Sequence, residues 1–365
     1  MEKLLADVSS ESSEVFERRV WAAVLALLTE EQSMLKETTG ALARDHRVAN
    51  PHDLDTIDRA RIWEQLAGAG LLGLRVAEAT NGPAASGVEA MLVVEELAAA
   101  LAPVPYLGSA VMATELLRLA AAPPAWSEGM EDGSTRTTVV LTPDLAGLVH
   151  ADDVARGVAF DADDAAHVLC LGGTADAPQV VRLEVRSFAA LDAADMTRRL
   201  CRVVPAGGSS SASVEPGNLD RWLAMSLVAA SADIVGAMRG ALAGVVEYSL
   251  EREQFGVPIG SFQAVQHLCA EAHVSIQAAR SMTNYAAWAV DELDVREALL
   301  AARAAKAYAS RAGRPVCETA MQVYGGIGQT WENICHVYLR RVLTDRKLLG
   351  DDDAQLDAIA DMRLA

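Results

Sequence analysis

The order of helix-forming and strand-forming segments is the feature that most restricts the fold of this chain. From about Phe16 to Leu119, apolar residues recur at spacings of three and four among good helix formers, which predicts helices. From Pro124 the pattern changes to short, partly β-branched runs bounded by Asp, Gly, Pro or Ser, which predicts strands. Helical patterns return at Asn218. Separate blocks of helices, strands and helices predict an α+β fold rather than alternating βαβ units.

These patterns also predict the domain limits. We expect a flexible extension at residues 1–15, an N-terminal helical domain at 16–123, a middle β domain at 124–216 and a C-terminal four-helix-bundle domain at 217–365. A capping box at Thr29–Gln32 predicts the start of one helix. The Gly207–Ser211 segment consists of Gly and Ser and is expected to be flexible. Long helices are predicted at 219–252, 261–291 and 295–324, and strands at 137–141, 157–160, 167–171, 179–185 and 202–204.

Composition and charge exclude several classes of protein. Apolar residues make up 51 % of the 365 residues and charged residues 22 %, which is typical of a globular chain. A formal net charge of −19 disfavours binding to nucleic acid or to anionic membranes. The longest apolar runs, Val20–Leu28 and Ala98–Pro105, are too short to cross a bilayer. The five cysteines show no C-x-x-C spacing and no secretory signal is recognisable, so we predict a cytoplasmic protein with reduced thiols.

Common catalytic motifs are missing from the sequence. The seven histidines form no H-E-x-x-H pattern, and we predict no metal site. No G-x-S-x-G or G-x-x-x-x-G-K-[ST] motif occurs. Gly325–Gly328 follows a helical pattern rather than a strand, which excludes a Rossmann fingerprint. Taken alone, these glycines favour a helix C-terminus over an anion site.

Two segments of the C-terminal half together resemble a known family. Residues 248–256 read Y-S-L-E-R-E-Q-F-G and are followed by I-G-S-F-Q-A-V-Q-H at 259–267. This is similar to the "R-x-x-F-G … F-Q" signature of acyl-CoA dehydrogenases. Residues 322–328, Q-V-Y-G-G-I-G, are similar to the "Q-x-x-G-G-x-G" segment of the same family. The resemblance implies an acyl-CoA dehydrogenase-like fold, FAD as cofactor and α,β-desaturation of an acyl-CoA thioester.

The resemblance also implies roles for individual residues. An arginine can form charge-assisted hydrogen bonds to phosphate, and glycines allow the backbone to approach an anion closely. In this family such groups reach across a dimer to the flavin of the neighbouring subunit. The cofactor-binding residues implied in this way are Arg252, Gln254, Phe255 and Gln263, which would hold FAD, with Gln322, Gly325 and Gly326 at its pyrophosphate.

The sequence departs from the family at the catalytic base. The family removes an α proton with a carboxylate that occupies one of two known positions. One position lies 27 residues after Gln322 and is Leu349 here, and the other corresponds to Ser226. Neither residue can act as the base, so no catalytic residue is predicted. The "T-E-P-x-A-G-S-D"-like stretch that usually holds the flavin ring is also missing between Pro124 and Leu148.

These departures resemble one subunit type of actinobacterial α2β2 acyl-CoA dehydrogenases. In those complexes a homologous catalytic subunit keeps the base and binds the acyl-CoA substrate, while its partner supplies contacts to FAD. The segment Ala102–Ser109 and the shortened β domain look like that partner. The likeness further suggests steroid side-chain CoA thioesters as substrates.

Two other functions remain open from the sequence. The chain could form a homotetramer that uses an unconventional base, for which Asp233 and Glu332 are the candidates. It could instead be a scaffold homologue without catalytic activity and without contact to a flavin.

Overall fold

The N-terminal part of the chain is helical, as its sequence pattern predicts. The structure is a computed structural model that describes residues 28–78, 82–83, 85–120 and 122–364. The predicted extension at 1–15 and the start of the predicted N-terminal domain lie outside the described residues. The helices of this part are α1 (Glu30–Asp45), α2 (Arg59–Gly68), α3 (Gly87–Ala99) and α4 (Thr114–Leu119), and a short hairpin of β1 (Ala77–Glu78) and β2 (Gly82–Pro83) precedes α3.

The predicted capping box at the start of α1 is confirmed. The hydroxyl of Thr29 accepts a hydrogen bond from the backbone N–H of Gln32 at 3.1 Å. In return, the side-chain oxygen of Gln32 accepts from the backbone N–H of Thr29 at 3.1 Å. These bonds satisfy two donors at the start of α1, which helps the helix to begin at Glu30.

The middle part of the chain is a small closed barrel. Its five strands pair in the order β3-β4-β7-β6-β5, and the barrel closes where β3 runs parallel to β5. Valine and leucine side chains from several of the strands fill its interior. The strands are β3 (Thr137–Leu141), β4 (Val158–Ala159), β5 (His167–Gly173), β6 (Pro178–Ala190) and β7 (Cys201–Ser213).

The expectation of a flexible Gly207–Ser211 segment is wrong. These residues belong to β7, where Ser209 pairs with Leu183 and Ser211 pairs with Val181 of β6. The pairing partner holds a Gly/Ser segment in a ladder, because the backbone supplies the hydrogen bonds regardless of side-chain composition. Local composition contains no information about that partner, which lies more than twenty residues earlier in the chain.

The C-terminal part is a helical bundle built around one long central helix. Helix α5 packs against α3 and against the other long helices of the bundle. Its composition and length would suit a membrane span, but 83 % of its most apolar window is buried inside the protein, as in a core helix. The elements are α5 (Pro216–Glu251), α6 (Gln263–Glu292), α7 (Val295–Tyr324), α8 (Cys335–Lys347) and α9 (Asp352–Leu364), with a hairpin of β8 (Glu253–Gln254) and β9 (Val257–Pro258) between α5 and α6.

Candidate functional site

The two sequence motifs meet at one end of the helical bundle. Helix α5 ends at Glu251 and helix α7 ends at Tyr324. The ring of Tyr248, in the last turn of α5, lies 4.9 Å from the ring of Tyr324. This contact places Arg252, the residue after α5, and Gly325, the residue after α7, at the same end of the bundle.

Arg252 is held by its backbone, while its side chain is exposed. Its N–H donates to the carbonyl of Tyr248 at 2.8 Å, and its own carbonyl accepts from the N–H of Ile259 at 2.8 Å. Within the described chain, no carboxylate forms an ion pair with its guanidinium. The side chain is therefore available to bind an anion from outside the chain.

The hairpin after Arg252 presents an aromatic ring to solvent. Gln254 pairs with Val257, so Phe255 and Gly256 form a two-residue turn with positive φ angles of 56° and 80°. The side chain of Phe255 is 87 % exposed. Its ring meets that of Phe262 edge-on at 6.5 Å, directly before Gln263 at the start of α6. The turn thus carries the exposed Gln254 and Phe255 beside the exposed Gln263.

The glycine segment leaves its backbone open on one side. Gly325 ends α7 with a φ of 69°, and its N–H donates to the carbonyls of Gln322 and Met321. A Cβ atom on Gly325 or Gly326 would meet no heavy atom within 4 Å. On Gly328, by contrast, a Cβ atom would lie 2.6 Å from the carbonyl oxygen of Met321. Gly328 is therefore required by packing, whereas the space beside the first two glycines is free for a ligand.

This donor set fits the chemistry of a flavin nucleotide. A guanidinium, side-chain amides and open glycine backbone suit a pyrophosphate, and an exposed aromatic ring suits a planar ring system. All seven predicted cofactor residues are exposed, so this end of the bundle is a surface rather than an enclosed pocket. A ligand held here would need a second protein surface to cover it.

The two positions at which the family carries its base are buried in the core. Ser226 is fully buried and Leu349 is 3 % exposed. The N–H of Leu349 donates to the carbonyl of Leu145 at 2.8 Å, and its carbonyl accepts from the side-chain amide of Gln355 at 2.5 Å. Leu349 packs in the same core cluster as Leu227, next to Ser226. Apolar side chains therefore occupy the region where the resemblance would put a carboxylate.

Asp233 is unsuitable as a replacement base. Its Oδ1 accepts from Nε of Arg341 at 2.6 Å, and its Oδ2 accepts from Arg341 at 2.8 Å and from Arg198 at 2.5 Å. Desolvation opposes its ionisation, but the two guanidinium groups outweigh this effect and hold the pKa of Asp233 well below its usual range. Such a carboxylate is a poor proton acceptor, and both of its oxygens are already bonded.

Glu332, the other candidate base, is exposed and lies in the segment that follows the glycines. A backbone hydrogen bond within the residue and a side-chain bond to Thr330 lower its pKa. Because its side chain is exposed, Glu332 lies outside the buried core that contains Ser226 and Leu349.

A buried group of charged side chains joins the barrel to the bundle, and most of its members were not predicted from the sequence. Arg198 contacts Asp161 at 3.0 Å and Asp345 at 3.4 Å, in addition to Asp233. Asp161 also accepts from the N–H of Gly108 at 2.9 Å, which ties the Ala102–Ser109 segment to the same group. Asp233 was named from the sequence, as a candidate base. The other members come from loops and from α8, where the local pattern predicts only exposed charges.

Two family models match the chain over its helical parts. The model described as "Acyl-CoA dehydrogenase, N-terminal domain" matches residues 29–122, and "Acyl-CoA dehydrogenase, C-terminal domain" matches residues 221–364. The chain is 30 % identical to acyl-CoA dehydrogenase IpdE2 of Mycolicibacterium smegmatis, over 90 % of this chain and 97 % of that protein. It is 32 % identical to IpdE2 of Mycobacterium tuberculosis, over 88 % and 93 % of the respective chains.

Solved structures share this fold. A variant of the steroid acyl-CoA dehydrogenase Tcur3481-Tcur3483 superposes with a TM-score of 0.80 at 26 % identity, over 92 % of this chain and 98 % of that one. The ChsE4-ChsE5 complex of Mycobacterium tuberculosis superposes with a TM-score of 0.79 at 23 % identity, over the same shares. The predicted order of helical, β and helical domains is thereby confirmed. By sequence and by fold, this chain belongs to the acyl-CoA dehydrogenase family.

Proposed function

We propose that this chain is the base-deficient subunit of a heteromeric, FAD-dependent acyl-CoA dehydrogenase. In this proposal the complex desaturates an acyl-CoA thioester between its α and β carbons. A homologous catalytic subunit provides the base and binds the acyl-CoA, and the two chains assemble as α2β2. The present chain contributes contacts that hold FAD in the shared site.

The observation that carries this proposal is the exposed group of donors at one end of the bundle. Arg252 has no carboxylate partner among the described residues, and Gly325 and Gly326 leave the backbone open beside it. In an isolated chain these groups would bind only water. A phosphate group presented by a second subunit would give the guanidinium and the glycine backbone a ligand that suits both.

The buried Ser226 and Leu349 support the absence of a base in this chain. Neither side chain can accept the α proton, and the pairing of Asp233 with two arginines leaves it unsuited to the task. FAD, when bound, would supply the hydride acceptor of the reaction. The task left to this chain is to bind and orient that cofactor through Arg252 and its neighbours.

The relatives bear on the substrate class and on the partner. One structural neighbour is described as a steroid acyl-CoA dehydrogenase with two named components, and another is the ChsE4-ChsE5 complex. We therefore extend the proposal to a steroid side-chain CoA thioester as substrate.

The cytoplasmic location expected from the sequence agrees with five cysteines that are all free thiols.

The proposal is tested by the FAD content of the complex. We expect the chain purified alone to carry almost no flavin, and the chain co-expressed with a catalytic relative to carry about one FAD per pair. The variant Arg252→Ala should lower the flavin content of the complex at least tenfold, because a charge-assisted contact to phosphate is lost.

The matched control is Arg314→Ala, which removes an exposed arginine of α7 that, among the described residues, pairs with Glu318 alone, on the same helix. This variant should keep its flavin. One FAD per chain in the protein purified alone would instead favour the homotetramer with an unconventional base. Unchanged flavin content in Arg252→Ala would favour the scaffold without flavin contact.

A further inference from the structure

A cleft of about 470 Å³ opens between the N-terminal helices and the bundle. Its walls come from α1, the end of α3, the second half of α5, and α6. The volume lies in the range of small-molecule sites. Its lining includes none of the seven residues predicted to contact FAD, and neither Ser226 nor Leu349.

One wall of the cleft is apolar and made of small side chains. Ala43, Ala99, Ala100 and Ala243 line it together with Ile276. Small residues leave room between the helices, and the apolar surface favours the body of an apolar ligand over water. At Gly40 a Cβ atom would lie 3.2 Å from Glu96 and 3.3 Å from Arg44, so the glycine leaves the space between these two side chains open.

Two lining residues, Arg239 and Glu96, belong to a network of neighbouring charges in which cations outnumber carboxylates, although the whole chain carries −19. Arg239 lies 2.9 Å from Glu96 and also contacts Glu95. Lys36 lies 3.8 Å from Glu96, and Arg280 lies 3.3 Å from Glu95. Two carboxylates are thus shared among three cations. Desolvation and the nearby Arg280 lower the pKa of Lys36, as expected where cations outnumber anions.

Two further arginines line the cleft without a carboxylate partner among the described residues. Arg44 and Arg47 line it from the end of α1, both are exposed, and neither forms an ion pair with a carboxylate within the described ranges. Exposed arginines without a carboxylate partner beside an apolar wall suit an amphipathic anion.

We propose that this cleft binds an amphipathic carboxylate, with its apolar body against the alanine wall and its carboxylate held by Arg44 and Arg47. Guanidinium groups bind carboxylates through paired charge-assisted hydrogen bonds, which explains why arginines stand at the open rim. The site is independent of the proposed flavin contacts, so its test does not depend on their outcome.

The test is calorimetric titration of the full chain with dodecanoate, alone and in the co-expressed complex. We expect saturable binding at one site per chain in both forms. The double variant Arg44→Gln, Arg47→Gln should weaken binding at least tenfold, and Ala243→Leu should weaken it by narrowing the cleft. Arg61→Gln, at an exposed position of α2, has the same effect on net charge as each single replacement and should leave binding unchanged.

Three results would overturn the proposal. The first is no binding of dodecanoate to the wild-type chain. The second is equal binding of dodecanol and dodecanoate with no effect of the arginine replacements, which would show that no anion is recognised. The third is binding to the free chain that disappears in the complex, which would assign the cleft to the partner subunit. The FAD content of the arginine variant should stay at the wild-type value, which separates this test from that of Arg252.

Discussion

At the scale of single residues, Lys306 is a buried amine that forms no ion pair with a carboxylate of the described residues. It is fully buried on α7, and its Nζ donates to the Ser310 hydroxyl at 2.9 Å and to the carbonyls of Arg346 and Gly350 at 3.0 Å each. Desolvation lowers its pKa to about 7. The hydrogen bonds of the lysine thus fix the loop that carries Leu349. Burying the charged form of the amine is energetically unfavourable.

This pKa predicts how stability depends on pH. Between about pH 7 and pH 10 the unfolded chain keeps the lysine proton and the folded chain releases it, so the lysine makes folding more favourable as pH rises. The free energy of unfolding of the wild type, minus that of Lys306→Met, should therefore increase with pH. The slope should be up to about 1.4 kcal/mol per pH unit. Urea denaturation at pH 6.5, 8 and 9.5 measures it.

The control for this prediction is Lys347→Met, because Lys347 is exposed and its one ion-pair partner in the described part of the chain is Asp351. Its difference from the wild type should show no such rise. Equal slopes for Lys306→Met and Lys347→Met would contradict the lowered pKa of Lys306.

At the scale of elements, the β8–β9 hairpin has a turn that its sequence does not favour. Phe255 takes a φ of 56°, a conformation that a bulky L-residue rarely adopts, whereas Asn is common there before a glycine. Phe255→Asn should relieve strain while losing the edge contact with Phe262. We expect the free energy of unfolding to change by less than about 1 kcal/mol, since the two effects offset each other.

The same variant should lower the flavin content of the complex. If Phe255 served only the folding of the hairpin, Phe255→Asn would lower the stability of the chain, and the complex would retain its flavin. Gly256→Ala serves as the comparison, because it keeps the aromatic ring but strains a φ of 80°. It should lose stability more than Phe255→Asn does. Chemical denaturation and visible absorbance separate these outcomes.

At the scale of the whole molecule, the buried charges around Arg198 connect the barrel to the bundle. Asp161 belongs to the barrel side, and Asp233 and Asp345 belong to α5 and α8. Burial and the neighbouring Asp233 raise the pKa of Asp345 well above its usual range. Arg198→Met would remove a positive charge that neutralises the buried carboxylates of Asp161 and Asp233. It should reduce the free energy of unfolding by roughly 3–5 kcal/mol.

Thermal unfolding of Arg198→Met and Arg199→Met checks this prediction. The side chain of Arg199 is 60 % exposed and contacts Asp163, so its loss should shift the midpoint by much less. Equal shifts for the two variants would mean that the buried group does not join the domains energetically.

The positions of the helices could be predicted from the sequence because they depend on patterns among residues that are close together in the chain. The predicted helix at 295–324 agrees with α7, and the strand at 137–141 agrees with β3. The spacing of apolar residues and the capping residues predict a helix because they lie within the same few turns that form it. The Gly/Ser part of β7 was not predictable in this way, because its order comes from pairing with a distant strand.

The motifs, and through them the family, were determined by the sequence alone, since a motif is a pattern of residue types. The tertiary structure decided which separate segments meet. It brought Arg252 and Gly325 to one end of the bundle through Tyr248 and Tyr324, and it committed Asp233 to Arg198 and Arg341. Contacts between segments far apart in the chain depend on how the elements pack, and local residue patterns carry almost no information about that packing.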